Sequence, residues 1–364
     1  MNKTIEEKSK FKYGARRFFI CAVVVVGIII LGILAACSPE GVAGSRDSTG
    51  QASKPEKILL TWEPTESTAD FDSMRQVFAD SIAEGAGVPC ESVTTTDYNV
   101  AIESIISGKV HMASLGAYEY VEAHKKNPAV EIAFVLSNSE GKLDPTSYHS
   151  QVLVREEDAD QYMSNGEYSI DGIEGKNYSF VSLSSTSGFI VPSNVYMKEF
   201  SRSSIDDFSE SGRFFKNVLI AGSHVNSLFN LLRGEVDLAS CDDTGTASFY
   251  NVESGANGEV GSVYVIRDGL DAPLDAFAGQ RVVVVASFSV PAVPFCVNTD
   301  VVDKETLESI ISYMCSKAVS DNPEIFLDVD STTMTRYRKT SADIGFVPAD
   351  DAYYDSFRQL IGED

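Results

Sequence analysis

The side chains that most often carry metal or redox chemistry are scarce in this sequence. Its 364 residues include four histidines, one tryptophan and six cysteines. His111, His124, His149 and His224 show no metal-ligand spacing, and no two cysteines form a C-x-x-C pair, so no metal site and no cofactor is expected. Positive charge is also in short supply. Lys and Arg number 29 against 53 Asp and Glu, a formal charge of −24, which argues against nucleic acid as a partner.

What is present divides into a leader and a globular remainder. Lys3, Lys8, Lys10, Lys12, Arg16 and Arg17 precede an unbroken apolar run from Phe18 to Ala36, the pattern of a signal segment. On length alone the run also suits a permanent membrane helix. Leu34-Ala35-Ala36-Cys37 resembles a bacterial lipobox, which implies cleavage after residue 36 and lipidation of Cys37. Two acyl chains hold a protein on a membrane where one lets it go. Residues 37–57, rich in Ser, Gly and Pro, then form a flexible tether. The expected location is extracytoplasmic, on the outer face of the bacterial cytoplasmic membrane. Loss of residues 1–36 removes six basic and two acidic side chains and takes the formal charge from −24 to −28. Cys90, Cys241, Cys296 and Cys315 remain, and their scattered positions assign no disulfide.

A composition of 43% hydrophobic and 23% charged residues over this length suggests about two domains. Short apolar runs such as KILLTW, EIAFVLS and SQVLVRE alternate with helical patterns such as YNVAIESIISG and AYEYVEAHKK, so the fold class is α/β. One internal echo stands out. SGKVHMAS (107–114) and RGEVDLAS (233–240) each close an amphipathic helix with glycine and lead into a strand. If each belongs to its own lobe, ligands belong at the carboxyl ends of the strands, where loops run into helix N-termini.

The stretch SLSSTSG (182–188) falls between a strand pattern, NYSFVSL, and a helix whose Pro192 sits near the first turn. Such a turn offers unsatisfied N–H groups at the positive end of a helix dipole, and its hydroxyls add rotatable donors suited to an oxyanion. Ser and Thr are also ordinary N-caps, which is the plainer account. A second turn of this kind precedes His224, a possible donor to an anion oxygen. Tyr98 opens a helix and Tyr148 a strand, where a phenol can reach a ligand. Glu63 in TWEPT lies on the first strand-to-helix loop, where it could line a cleft, but a carboxylate at a helix start is commonly just a favourable cap, and it is left out of the expected site.

Several longer motifs make a resemblance specific. TDYNVAIESIISGKVHMASLGAYEYVEA, IDGIEGKNYSFVSLSSTSGFIVPSNVYM, IAGSHVNSLFNLLRGEVDLASCDD, SFSVPAVPFCVN and FVPADDAYYDSFRQL, in this order, resemble the substrate-binding lipoproteins of phosphonate-type ABC importers, the phosphate, phosphite and phosphonate receptors. The resemblance covers nearly all of the chain after the leader. It implies a two-lobed, type II periplasmic-binding-protein fold, each lobe a mixed, mostly parallel sheet flanked by helices, with ligand in the cleft. The lobes are expected over 58–152 plus 288–364 and over 153–287.

By the same resemblance Ser185, Thr186, Ser187 and His224 hold the phosphorus-bound oxygens, and Tyr98 and Tyr148 face the ligand. Members that bind aminoalkylphosphonates place an acid in the P-x-x-P stretch. Pro291-Ala292-Val293-Pro294 has none. Asp243, beside Asp242, is expected at the ligand, where it can accept a P–OH hydrogen bond. The implied function is capture of a phosphorus oxyanion by a monomer that delivers it to the importer's permease subunits. A similar receptor for another anion or a phosphorylated organic solute is one alternative. A secreted hydrolase using Ser185 or Ser187 with His224 is the other, but no G-x-S-x-G elbow surrounds either serine. No enzymatic activity is expected.

Overall fold

The computed structural model describes residues 52–64, 69–328 and 337–363. The signal segment, Cys37 and all but the end of the 37–57 tether lie outside the described residues.

The chain opens with β1 (Ile58–Trp62), α1 (Ala69–Ala86), β2 (Cys90–Thr94), α2 (Tyr98–Ile106), β3 (Met112–Ser114), α3 (Ala117–Lys126) and β4 (Val130–Leu136). It continues through β5 (Tyr148–Arg155), β6 (Asn177–Phe180), α4 (Val191–Glu199), β7 (Asn217–Ile220), α5 (His224–Leu232) and β8 (Leu238–Asp242). The last part contains β9 (Tyr250–Ser254), β10 (Val263–Ile266), β11 (Arg281–Val290), β12 (Phe295–Asn298), α6 (Lys304–Met314) and β13 (Phe346–Val347). Two main sheets result, in the orders β13-β4-β12-β3-β1-β2 and β9-β10-β11-β5-β8-β6-β7.

The α/β class and the two mixed sheets agree with the sequence, but the expectation of mostly parallel sheets does not hold. Parallel pairing is confined to β1–β2 and β1–β3 in the first sheet and to β8–β6 and β6–β7 in the second. The other pairings are antiparallel. A parallel pair needs a helical crossover. Helices supply one only in the strand–helix–strand stretches, whereas β9, β10 and β11 follow one another through loops without an α-helix.

In the first sheet Phe295 stacks on Phe78 and Phe134 with ring centroids 4.5 and 4.9 Å apart, and Trp62 meets Phe295 edge-on at 5.6 Å. In the second, Tyr178 stacks on Phe180 at 4.2 Å. The 107–114 and 233–240 echo has a structural counterpart. Gly108 and Gly234 have φ of 67° and 72°, a conformation that glycine adopts without steric cost. The next amides, of Lys109 and Glu235, turn back to Ser104 and Asn230 carbonyls at 2.9 and 3.0 Å, closing α2 and α5 in the same way. The strands that follow, β3 and β8, are both paired in parallel.

The chain changes sheet twice, at 137–147 and at 291–294. The lobe boundaries expected at 152/153 and 287/288 fall inside β5 and β11, which pair from Arg155–Val282 to Val290–Tyr148 within the second sheet. Beside them Ser147 N–H donates to the Val290 carbonyl at 2.9 Å. Tyr353 ties the crossings together: its hydroxyl donates to the Asp144 carbonyl at 2.6 Å and accepts Ala292 N–H at 3.0 Å.

Candidate functional site

Four helix starts that follow parallel strands supply the candidate residues. Asp97 caps α2 by accepting Asn99 N–H at 2.8 Å, which sets Tyr98 as its first residue. Gly116 stands at the N-cap of α3. Ser185 caps the turn of helix at Thr186–Ile190 by accepting Gly188 N–H at 3.2 Å, and α4 continues from it with Pro192 at its start. Ser223 caps α5 by accepting Asn226 N–H at 3.1 Å, leaving His224 as the first helical residue. The first two starts belong to the first sheet's strands and the last two to the second's.

Thr186 joins the two sets. Its hydroxyl donates to Glu119 Oε2 at 2.6 Å and accepts Tyr118 N–H at 2.8 Å, and its own N–H donates to Glu119 Oε1 at 3.3 Å. Glu119 has no solvent exposure. Burial raises its carboxyl to about 7 in spite of the opposing Thr186 hydrogen bonds. Gly116 makes the approach possible, since a Cβ there would lie 2.2 Å from Glu119 Oε2 and 2.6 Å from Thr186 Oγ1.

Around this clasp, the Tyr98 hydroxyl is buried without a hydrogen-bond partner. The groups nearest it electrically are Glu63, Glu119 and Asp242, with the Ser185 side chain beside it. Burial foremost, and then these carboxylates, push the phenol well above its usual range, so it remains a donor. Glu63 Oε1 accepts Gly116 N–H at 3.1 Å. His224 Nδ1 accepts the Asp242 N–H at 3.0 Å, and Nε2 lies 3.7 Å from Asp242 Oδ2. With Nδ1 engaged as an acceptor, the neutral ring carries its proton on Nε2, the atom free to donate to an oxyanion. This arrangement is the reverse of a catalytic triad, in which an acid accepts from histidine Nδ1–H.

Tyr98, Ser185, Thr186 and His224 are therefore brought together. Ser187 is buried next to Thr186, and its carbonyl accepts the Ser150 hydroxyl at 2.6 Å. Tyr148 starts β5, buried in the core near Tyr354. Asp243 is placed differently from its neighbour: its carboxylate accepts His149 N–H at 2.8 Å and pairs with His149 Nδ1 at 2.8 Å. Asp242 is the acid beside Tyr98 and His224. Sequence reasoning left out Glu63 and missed Glu119. An acid in the first turn of a helix looks like a dipole complement; the available signal was its place among Ala117, Tyr120 and Val121 on the buried face.

His224→Ala is expected to weaken anion binding at least tenfold in calorimetry, because it removes a donor and orphans the Asp242 N–H. Unchanged affinity would remove His224 from the site.

Comparison with known proteins gives a consistent result. The profile of the family described as ABC transporter, phosphonate, periplasmic substrate-binding protein matches residues 60–354. A phosphate-import protein from Mycolicibacterium smegmatis is 27% identical over 212 residues, which is 58% of this chain and 62% of that protein's length. Among solved structures, a binding-protein component of an ABC phosphonate transporter from Pseudomonas aeruginosa superposes with a TM-score of 0.60 at 18% identity, covering 85% of this chain and 86% of that one. A Prochlorococcus marinus protein in complex with methylphosphonate gives 0.58 at 11% identity, covering 85% of this chain and all of that one (100%). With the family profile spanning most of its length, the chain belongs to the periplasmic substrate-binding proteins of phosphonate ABC transporters.

Proposed function

We propose that this chain captures a phosphorus oxyanion (a phosphonate, phosphite or phosphate) between two lobes and delivers it to an ABC importer's permease. The lobes are residues 58–147 with 291–363, and residues 148–290. The protein acts as a monomer, held extracytoplasmically by acyl chains on Cys37, and it binds its ligand without transforming it.

The observation that carries this reading is the meeting of helix starts from both sheets at Thr186, where Tyr118 N–H donates to the Thr186 hydroxyl and Thr186 N–H donates to Glu119. Oriented amides and hydroxyls there can grip an anion without a lysine or arginine. Hydrogen bonds to a charged group contribute about 1.5–3 kcal/mol each. Five or six suffice for the roughly 8 kcal/mol of a micromolar complex after ordering costs. Tyr98, Ser185, Thr186, Ser187 and the Nε2–H of His224 are the proposed donors. Tyr148 closes the pocket wall, and Asp243 acts at one remove by fixing His149.

The test is calorimetric titration with phosphate, phosphite, methylphosphonate and 2-aminoethylphosphonate. At least one is expected to bind with micromolar or tighter affinity. Failure of all four would refute the proposal.

A further inference from the structure

Three acids surround the one hydroxyl of this cluster that lacks a partner. Tyr98 is only 2% exposed and its oxygen is unpaired, yet Glu63, Glu119 and Asp242 all act on it. These carboxylates are buried as well. No lysine or arginine is among the groups acting on Tyr98 or Glu119. An acidic wall of this kind opposes a fully ionised guest unless a proton accompanies it.

Glu119 is the acid in direct contact with the anion donors. It accepts hydrogen bonds from the Thr186 hydroxyl at 2.6 Å and the Thr186 N–H at 3.3 Å, the groups that the proposed ligand requires. When ionised, Glu119 competes for these donors and repels the ligand. When protonated, it releases one of them and offers an O–H of its own.

We infer that Glu119 is the specificity-determining carboxylate of the site: it shares one proton with an oxygen of the bound anion, so a phosphorus oxyanion is accepted only together with that proton. This rests on the receptor reading above. The proton comes from the solvent at high pH and from the ligand's own P–OH or from Glu119 itself at low pH. Burial holds the Glu119 carboxyl at about 7, so the exchange falls within the physiological range. The titratable groups that interact with it are Tyr98 at the start of α2, Tyr118 in α3 and Cys296 in β12; Glu63, just after β1, and Asp242, at the end of β8, act on the same Tyr98, with His224 beside Asp242. Tyr98 and Cys296 are raised well above their usual ranges, chiefly by burial, and stay neutral at this pH.

The experiment is calorimetry of methylphosphonate binding by the full chain from about pH 6 to about pH 8.5, in buffers of different ionisation heat, which counts protons taken up. The wild type is expected to take up about one proton at the upper end, with affinity falling roughly tenfold per pH unit there. Glu119→Gln keeps the shape and fixes the neutral state. It is expected to lose that uptake and to match or exceed wild-type affinity at about pH 8.5. Equal uptake in the two proteins would overturn the inference. So would absence of uptake in the wild type, a measurement that needs no variant to fold. If the wild type bound neither methylphosphonate, phosphate nor phosphite, the receptor reading itself would fail instead.

Discussion

Thr186→Val is expected to lower affinity for the bound phosphorus oxyanion about a hundredfold while leaving the fold in place. Valine keeps the branched shape and removes only the oxygen. That oxygen has a partner on each side, the half-buried Tyr118 N–H and the buried Glu119 Oε2. A hydrogen bond to a charged ligand is worth about 1.5–3 kcal/mol, and about 1.4 kcal/mol is a factor of ten, so loss of the ligand contact alone reaches this magnitude, while the two orphaned groups lower stability by about 1–3 kcal/mol each. Thr186→Ser retains the hydroxyl and should stay within a few-fold of the wild type. Calorimetry on the two variants checks the pair. A valine variant that binds normally would show that the clasp is ornamental to capture.

Gly188→Ala should act on stability more than on the anion itself. A Cβ at this position would stand 2.4 Å from both Cβ and Cγ2 of Val181 and 2.9 Å from Ser185 Oγ. Val181 cannot swing its Cβ away, because that atom moves only with the backbone, whose N–H is bonded to the Gly188 carbonyl at 3.3 Å. Overpacking of this kind costs about 1–3 kcal/mol, and a contact this short belongs at the upper end. Denaturant unfolding should therefore show a loss of about 3 kcal/mol. The Ser185 cap is displaced at the same time, so weaker anion binding should accompany the loss. A variant with the wild-type midpoint would show that the strand and the turn have room for the added methyl group.

Much of this architecture is legible in the sequence because it depends on local rules. The glycine closing α2 and its counterpart closing α5 announce themselves by the turn chemistry that any helix end obeys. The strand-to-helix turns at 182–188 and before His224 are legible from their place between an apolar strand and an amphipathic helix, and Ser185 and Ser223 are the caps found there. Strand direction is not local. β11 and β12 enter their sheets antiparallel because of where the chain crosses between sheets, which no window of ten residues contains. The same holds for the acids. Glu119 contacts a residue 67 positions away and Glu63 one 53 away, so their roles depend on folded proximity. Asp242 ends β8 and Asp243 is the residue after it, and this one step along the chain decides which acid reaches Tyr98 and which reaches His149.

The phenol of Tyr353 has a mechanical consequence. Two chain segments passing side by side between two sheets can, if independent, shear as well as bend. Here a single oxygen is fastened to the backbone of both, at Asp144 and at Ala292, and Tyr354 adds a second rivet by donating its hydroxyl to the Ala292 carbonyl at 2.5 Å. The pair is thereby laminated into one ribbon that resists sliding and yields to flexure. If the proposed lobes open, the motion expected is a swing about one axis, stiffened by Tyr353 and Tyr354.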